Sequence, residues 1–280
     1  MEEIKYKIVK DIKKTGFPFE LKAAEIIKAC NWNVSHNNFY IDKDENKGRE
    51  IDLIARYDVI TPWSEDNKDY MEFSLIMPVE LKQGTKHPWV FFTTEQSSFE
   101  KLLEYPIIKL ESGFNSQHHR RFDLIQEVTE YQGRLARSFY EAFNGGRDDI
   151  FKALTGVVKA LEHLYDDSFM HYRKKGDEAE ELFFFSHYLE LFEPVIIFRG
   201  ELFEAQVDKE NDSEVLIKET KYVQVSFNYI SPNYQRKNNY VVHVVKEEYI
   251  EQFFNEKKEG LEKLFAQIKT LEDNLIDLIE

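Results

Sequence analysis

Two charged residues interrupt an apolar stretch of the chain, in the segment MEFSLIMPVELKQG at positions 71–84. Side chains alternate between the two faces of a strand, so Glu80 and Lys82 share one face while Val79 and Leu81 take the other. Burying charged groups without partners costs several kcal/mol or more. A bound divalent metal ion is one way to compensate such a pair, which makes this stretch a candidate site for chemistry.

An acid on the preceding predicted strand adds a second oxygen ligand. Asp52 lies in the segment EIDLIA, with an apolar neighbour on each side. Mg²⁺ and Mn²⁺ suit oxygen ligands and Mg²⁺ keeps several waters, so Asp52, Glu80 and the backbone carbonyl of Leu81 would be sufficient. The metal would lower the pKa of a bound water and stabilise charge on a phosphate oxygen, while Lys82 would orient that water or neutralise the transition state. Glu20, on the predicted first helix, would be a further acid bound through water.

Each of these residues also has a plainer interpretation. Glu80 and Lys82 would then form a salt bridge on a solvated face of the sheet, and Asp52 would be a strand-edge acid or a turn residue. An acid near the start of a helix, such as Glu20, also interacts favourably with the helix dipole. The apolar flanks of Glu80 and Lys82, and the occurrence of Asp52 on the adjacent strand, favour the metal site.

The surrounding pattern predicts the elements that would position these residues. Helical spacing of Leu21, Ala24 and Ile27 after Pro18 predicts a first helix over 17–30. Strands are predicted over 32–42, 49–59 and 71–82, with a loop over 58–71, a possible short strand over 89–95 and a helix that starts in 94–105. Further along the chain we expect helices over 122–166, a charged linker over 171–181, β-like segments over 193–207, 221–230 and 239–245, and a final helix over about 246–279. The last helix is either a packing helix or a dimer seam.

Histidine and cysteine usage argues against a zinc centre. Cys30 is the single cysteine, which excludes an intrachain disulfide and a cysteine-based zinc site. His118 and His119 are adjacent, and neighbouring residues of a helix or strand do not share a face. A basic surface that contacts phosphates is the alternative, with the candidate residues Lys86, His87, His119, Arg120 and Arg121, and with Arg134 and Arg137 on one helical face. The same residues would otherwise form a solvated basic patch.

Composition bounds the class of protein. The chain has 280 residues, 37 of them basic and 52 acidic, with a formal net charge of −15. This length predicts a single elaborated domain, and the acidic balance argues against a general nucleic-acid-coating role without excluding a local basic groove. The first residues, MEEIKYKIVKDIKK, lack the apolar core of a signal peptide, and no run approaches the roughly 20 apolar residues of a membrane helix. We therefore expect a cytoplasmic protein that does not enter membranes.

A helix with Glu20, a strand, a strand with Asp52 and a strand with Glu80-Leu81-Lys82 together resemble the PD-(D/E)xK nuclease superfamily, which has the restriction-endonuclease-like fold. In this resemblance Asp52 corresponds to the motif Asp, Glu80 to the second acid and Lys82 to the lysine, and Gln83 occupies a position where some members carry a polar residue. Ile51 stands where the motif has Pro. The resemblance covers residues 14–92, and the strand at 195–200 would be the fourth core strand.

The resemblance implies an α/β fold with an αβββαβ core, a mixed sheet flanked by helices. The core would comprise about 14–92 and 193–200, with a helical insertion over about 95–190 and a C-terminal strand-strand-helix extension over about 200–280. It implies Mg²⁺-dependent or Mn²⁺-dependent hydrolysis of DNA, for instance in restriction or phage defence. Because the chain is acidic, a homodimer or an activating protein would help to supply the DNA contacts. A catalytically inactive interaction module and an RNA-directed nuclease remain open alternatives.

Overall fold

The computed structural model describes residues 1–12, 15–62, 69–95, 107–114, 116–128, 134–143, 148–178, 184–207, 214–234, 236 and 239–276. The helices are α1 (Glu2–Ile12), α2 (Phe17–Ala29), α3 (His118–Val128), α4 (Asp149–Glu178) and α5 (Ile250–Ile276), the last preceded by one 3₁₀ turn at Glu247–Tyr249. The strands are β1 (Asn33–Asp42), β2 (Lys47–Pro62), β3 (Asp69–Glu95), β4 (Ile107–Ser112), β5 (Arg134–Glu141), β6 (Phe184–Phe192), β7 (Val195–Val207), β8 (Val215–Glu219), β9 (Tyr222–Asn228) and β10 (Asn239–Lys246).

The strands form one mixed, 10-stranded sheet with helices on both faces. Its main order is β1-β2-β3-β5-β9-β10-β7-β8; in addition β6 pairs with β3 and β4, and β3 pairs with β7. The expected α/β class, with a mixed sheet flanked by helices, is therefore confirmed. No helix in the part of the chain that the structure describes is long and apolar enough to span a membrane.

The long strand β3 organises the sheet. Its first half pairs antiparallel with β2 and parallel with β6, and the part from Val79 onward pairs parallel with β7 and later antiparallel with β5. Residues 71–79 are buried without interruption, which is the continuous apolar run typical of a strand covered on both faces. The segment that carries Glu80 and Lys82 thus lies in the middle of the sheet.

Two apolar layers cover the sheet. Helices α2 and α5 pack on one face, where Ile27 and Phe254 join Leu53 and Val79 in one buried cluster. Helix α4 packs on the other face and buries Ile150, Ala153, Leu154, Val157 and Leu161, a spacing that gives a helix one apolar stripe. The predictions of a first helix, of the strands over 32–42, 49–59 and 71–82, and of a long final helix are confirmed in α2, β1, β2, β3 and α5.

The predicted helical insertion over 95–190 is wrong in part. The structure has β4, β5 and β6 there beside α3 and α4, while residues 96–106, where a helix was expected to start, lie outside the described ranges. Leu135, Phe139 and Ala142 have helical spacing, but β3 offers an open edge and the segment pairs with it instead, from Trp89 opposite Glu141 to Glu95 opposite Arg134.

Three other boundaries differ from the sequence-based expectation. The extension contains β8, β9 and β10 before α5 rather than two strands; β8 lacks a buried face and pairs at the edge with β7, so it has no alternating pattern. Helix α4 continues through 178, where a solvated linker was expected. Within the loop predicted over 58–71, residues 58–62 belong to β2 and residues 69–71 to β3, while residues 63–68 lie outside the described ranges. Residues 89–95 continue β3 rather than form a separate strand.

Candidate active site

At Asp52 the regular alternation of side chains between the two faces of the sheet is interrupted on β1 and β2. Leu53 belongs to the cluster under α2 and α5, whereas Ile51 packs with Tyr40 and Ala160, on the side of α4. Residues two apart on a regular strand share a face, so the alternation breaks at Asp52. On β1, His36 pairs with Leu53 and Asn38 pairs with Ile51. Asn37 lies between these two pairs and has a left-handed backbone with φ of 55°. This irregularity places the Asp52 side chain between the two layers.

The β2–β3 ladder ends beside this residue. Its last pair is Leu53 with Val79, and beyond that pair Oδ2 of Asp52 accepts a hydrogen bond from the backbone N–H of Leu81 at 2.7 Å. The N–H and C=O groups of one strand residue point to the same neighbouring strand, so the carbonyl of Leu81 also faces the gap that opens there. The structure thus brings together two of the predicted metal ligands, Asp52 and the Leu81 carbonyl.

Glu80 and Lys82 form an ion pair on the α4 side of β3. Nζ of Lys82 lies 2.5 Å from Oε1 of Glu80, and the two side chains are 33% and 19% exposed, respectively. Oε2 of Glu80 faces the first turns of α4, where a Cβ added at Gly156 would lie 3.9 Å away. Burial alone would lower the pKa of Lys82, but the contact with Glu80 raises it above its usual value, so the lysine is protonated.

The neighbouring acid Glu80 makes ionisation of Asp52 unfavourable. Burial, followed by the negative charge of Glu80, raises the pKa of Asp52 to about 7, although the Leu81 N–H and Lys82 act in the opposite direction. The carboxylates of Asp52 and Glu80 and the backbone carbonyl of Leu81 are oxygen donors of the kind that Mg²⁺ or Mn²⁺ accepts. A divalent cation bound there would relieve the repulsion between the carboxylates, so this donor set fits the expected metal.

Glu20 and Gln83 are less closely associated with the site. Oε1 of Glu20 contacts Nδ1 of His36 at 3.3 Å, and the charge of Glu20 is the smallest of the contributions that raise the pKa of Asp52. Among the described residues, no group of three or more His, Cys, Asp or Glu side chains is arranged to hold a metal ion. Gln83 is exposed and lies one residue from Lys82, hence on the opposite face of β3.

A pocket of about 620 Å³ opens in front of Glu80 and Lys82. The β1–β2 hairpin forms one wall and the first turns of α4 form the other; the lining residues not predicted from the sequence are Tyr40, Asp42, Glu45, Arg49, Glu50, Phe151, Lys152, Thr155, Gly156 and Lys159. The seven-residue interval between Lys152 and Lys159 could have indicated one face of a helix, but not which strands that face meets.

A second lysine–carboxylate cluster lies in the wall of this pocket. Nζ of Lys159 is 2.8 Å from each carboxylate oxygen of Asp42 and 3.1 Å from Oδ2 of Asp44. Asp44 also accepts hydrogen bonds from the hydroxyls of Tyr229 and Ser231. Burial raises the pKa of Asp42, but the hydrogen bond and charge of Lys159 and the backbone N–H groups of Asp44 and Glu45 together bring it below its usual value. This cluster ties the β1–β2 turn to α4 and keeps the pocket wall in place.

The predicted basic surface is only partly present. Arg121 is buried and donates to the carbonyl and hydroxyl oxygens of Ser116, with its guanidinium 4.8 Å from the centre of the Phe114 ring. The expectation that it contacts phosphates is therefore wrong, because this charge is used inside the protein. Arg120 is exposed on α3, and the side chain of His119 lies outside the described residues.

Helix α3 also lies far from Lys82. The Phe114 ring centre is 6.0 Å from that of Phe73, and Phe73 precedes Glu80 by seven residues on β3, on the order of 20 Å along a strand. Lys86 is exposed, and Nδ1 of His87 lies 3.3 Å from the carbonyl oxygen of Ala142. Both residues belong to the part of β3 that follows Lys82.

The predicted pairing of Arg134 and Arg137 on one helical face is wrong. They lie on strand β5, where a spacing of three places them on opposite faces. Arg134 donates to the carbonyl oxygen of Thr93 at 3.0 Å and to Glu204 at 3.2 Å, so its charge joins β5 to the neighbouring strands.

No protein-family model, no curated protein and no solved structure matches this chain. The interpretation of the site therefore depends on its own geometry.

Proposed function

We propose that this chain is a divalent-metal-dependent nuclease with a restriction-endonuclease-like core, acting on DNA in the cytoplasm. The observation that carries the proposal is the hydrogen bond from the Leu81 N–H to Asp52 at the point where β2 and β3 separate, beside the Glu80–Lys82 pair. The order α2, β1, β2, β3, α4, β7 is consistent with the αβββαβ core, with β4, α3, β5 and β6 as additions. A role in restriction or phage defence belongs to the same proposal.

The site residues divide the chemistry between them. Asp52, Glu80 and the Leu81 carbonyl would hold Mg²⁺ or Mn²⁺, with Glu20 acting at most through a water. When bound, the metal supplies a Lewis acid and lowers the pKa of a coordinated water. Lys82 is protonated, so its role is to donate hydrogen bonds to the attacking water or to the phosphate oxygens and to stabilise the charge that develops there. In this protonated state Nζ of Lys82 has no free lone pair and does not act as a base.

The direct test is incubation of the purified protein with single-stranded DNA, plasmid DNA and RNA in the presence of Mg²⁺ or Mn²⁺, beside Lys82→Ala and Lys218→Ala. Lys218 is an exposed lysine on the edge strand β8 and serves as the matched control. We expect cleavage by the wild type and by Lys218→Ala, reversible loss with a chelator, and no cleavage by Lys82→Ala. Activity in Lys82→Ala, or activity that survives the chelator, would contradict the proposed site. An absence of cleavage of both DNA and RNA by the wild type would contradict the nuclease function.

A further inference from the structure

We propose that the site acts on a strand whose nucleotide at the scissile phosphate is not base-paired, and that this nucleotide enters the pocket between the β1–β2 hairpin and α4. This inference rests on the nuclease function proposed above and defines its substrate class. It is carried by the dimensions of the pocket, by the recessed position of the reactive pair, by an exposed aromatic side chain in one wall and by the distribution of charge.

The pocket is large enough for a nucleotide and too small for a duplex. Its volume of about 620 Å³ lies within the range of pockets that enclose small ligands, about 300–1,000 Å³. A sphere of that volume is about 11 Å across, whereas the major groove of B-DNA alone is about 12 Å wide. The pocket can therefore hold one nucleotide with its phosphates but not a duplex.

The reactive groups are recessed into this pocket. Glu80 is only 19% exposed, and its carboxylate faces Gly156 on the helix that forms the opposite wall. A phosphate that reaches Glu80 and Lys82 through this pocket consequently passes between the hairpin and the helix. A nucleotide of a single strand, or one turned out of a duplex, can enter such a pocket together with its phosphate, as it does in enzymes that flip a base out of the stack.

Aromatic side chains line the path. Phe151, in the first turn of α4, is 42% exposed and lines the pocket, and its ring packs edge-on against Phe227 with centroids 5.7 Å apart. Tyr40, on the opposite wall, is only 5% exposed and is held by a hydrogen bond from its hydroxyl to the Gly156 carbonyl at 3.4 Å, so it shapes the wall rather than offering a stacking face. Each base has a flat face that stacks on an exposed ring such as that of Phe151, so this recognition tolerates any sequence.

The charges in the pocket favour stacking over binding along a backbone. Lys82 is paired with Glu80, Lys159 with Asp42 and Asp44, and Arg49 with Glu45 at 2.5 Å. Lys152 is the most exposed of the lining cations, 71% exposed and 3.7 Å from Asp149. Binding a long duplex through its phosphates requires many available cations, and the net charge of −15 opposes it. Binding one or two phosphates and one stacked base requires fewer available cations.

The test compares one labelled sequence as a single strand, as a perfect duplex and as a duplex with a central unpaired loop. Cleavage is measured with Mg²⁺ or Mn²⁺, and binding is measured by fluorescence anisotropy without divalent metal. We expect the single strand and the loop to be cleaved at least about 10-fold faster than the duplex and to bind more tightly, with cuts confined to the unpaired region. Equal cleavage of the perfect duplex would overturn the inference and leave the nuclease function standing. No cleavage of any of the three would overturn both.

Two variants assign the effect to the pocket. Phe151→Ala should weaken single-strand binding about 10-fold, and Phe151→Trp should restore it, because stacking on one aromatic ring is lost and regained. Phe39→Ala is the matched control: Phe39 is 64% exposed and adjoins Tyr40 on β1, where alternation turns it away from the pocket. Thermal unfolding of each variant separates lost binding from lost folding. Equal weakening by Phe39→Ala, or none by Phe151→Ala, would overturn the assignment.

Discussion

The pocket contains two lysine–carboxylate clusters of similar composition and opposite electrostatic character. Lys159 lies between Asp42 and Asp44, whose oxygens also accept hydrogen bonds from backbone amides and hydroxyls, and the pKa of each acid falls below its usual value. Near Lys82 the acids Asp52 and Glu80 receive fewer donors, and the pKa of Asp52 rises to about 7. The protein itself neutralises the acids of the Lys159 cluster, which is complete in this sense. The Lys82 cluster has too little positive charge for its two acids and is incomplete.

This difference teaches how to separate structural from functional charge in an unfamiliar chain. Both clusters contain buried acids and a lysine, so residue type and burial alone do not distinguish them. What distinguishes them is whether the protein itself supplies enough donors to satisfy the carboxylates. A carboxylate whose pKa is raised because it is buried beside a second acid, as at Asp52, favours a functional role for the incomplete cluster.

The largest effect on stability should come from the complete cluster. Lys159→Met leaves Asp42 and Asp44 without their buried cation, so we expect the free energy of unfolding to fall by about 3–5 kcal/mol. Urea unfolding followed by circular dichroism measures this. Lys152→Met, seven residues earlier on α4 and 71% exposed, should change the value by less than about 0.5 kcal/mol. Equal effects in both variants would mean that the Lys159 cluster is not a structural centre.

A divalent cation should act on the incomplete cluster alone. At a Mg²⁺ or Mn²⁺ concentration ten times its dissociation constant, we expect the free energy of unfolding to rise by about 1.4 kcal/mol, because the ion binds the folded state. Thermal unfolding and calorimetry measure the effect without any substrate. Asp52→Asn should remove it, and Asp273→Asn, at an exposed acid of α5, should retain it. A rise of the same size in Asp52→Asn would place the ion elsewhere.

The smallest effect separates the two clusters by pH. Without metal, Asp52→Asn should stabilise the protein by roughly 1 kcal/mol at pH 8, because it removes the repulsion with Glu80 and keeps an acceptor for the Leu81 N–H. The pKa of Asp52 is raised from 3.8 to about 7 in the folded state, so the folded state binds the extra proton and wild-type stability falls as pH rises through that window. The gain should therefore disappear near pH 4. A loss of stability at pH 8 would contradict the repulsion.

The sequence predicts best what depends on local periodicity. The spacing in α2 and the apolar runs of β2 and β3 correctly indicate their elements, and strand alternation correctly places Glu80 and Lys82 on one face. It fails where a partner distant in the chain decides the outcome. Residues 134–141 have helical spacing but pair with β3, and Arg121 looks like a surface charge but is held by Ser116, which Glu272 of α5 also contacts.

The form of the site is beyond sequence patterns for the same reason. The break in alternation at Asp52 depends on the backbone of Asn37 across the ladder, and no residue type near Asp52 reports it. The pocket exists because Lys159 joins Asp42 across more than one hundred positions of the chain. Such contacts follow from the assembled fold and not from neighbouring residues.

The parallel pairing of β3 with β7 also has a consequence for the order of folding. Val79 meets Leu53 across an antiparallel connection of modest length, whereas Glu80 and Lys82 pair with Ile196 and Phe198, which follow much later in the chain. Closing long loops slows folding, because chain entropy is lost before the contacts form. We therefore expect the β2–β3 pairing to form early and the β3–β7 pairing at Glu80 and Lys82 to form late, so that these two residues reach their final positions after much of the secondary structure has formed.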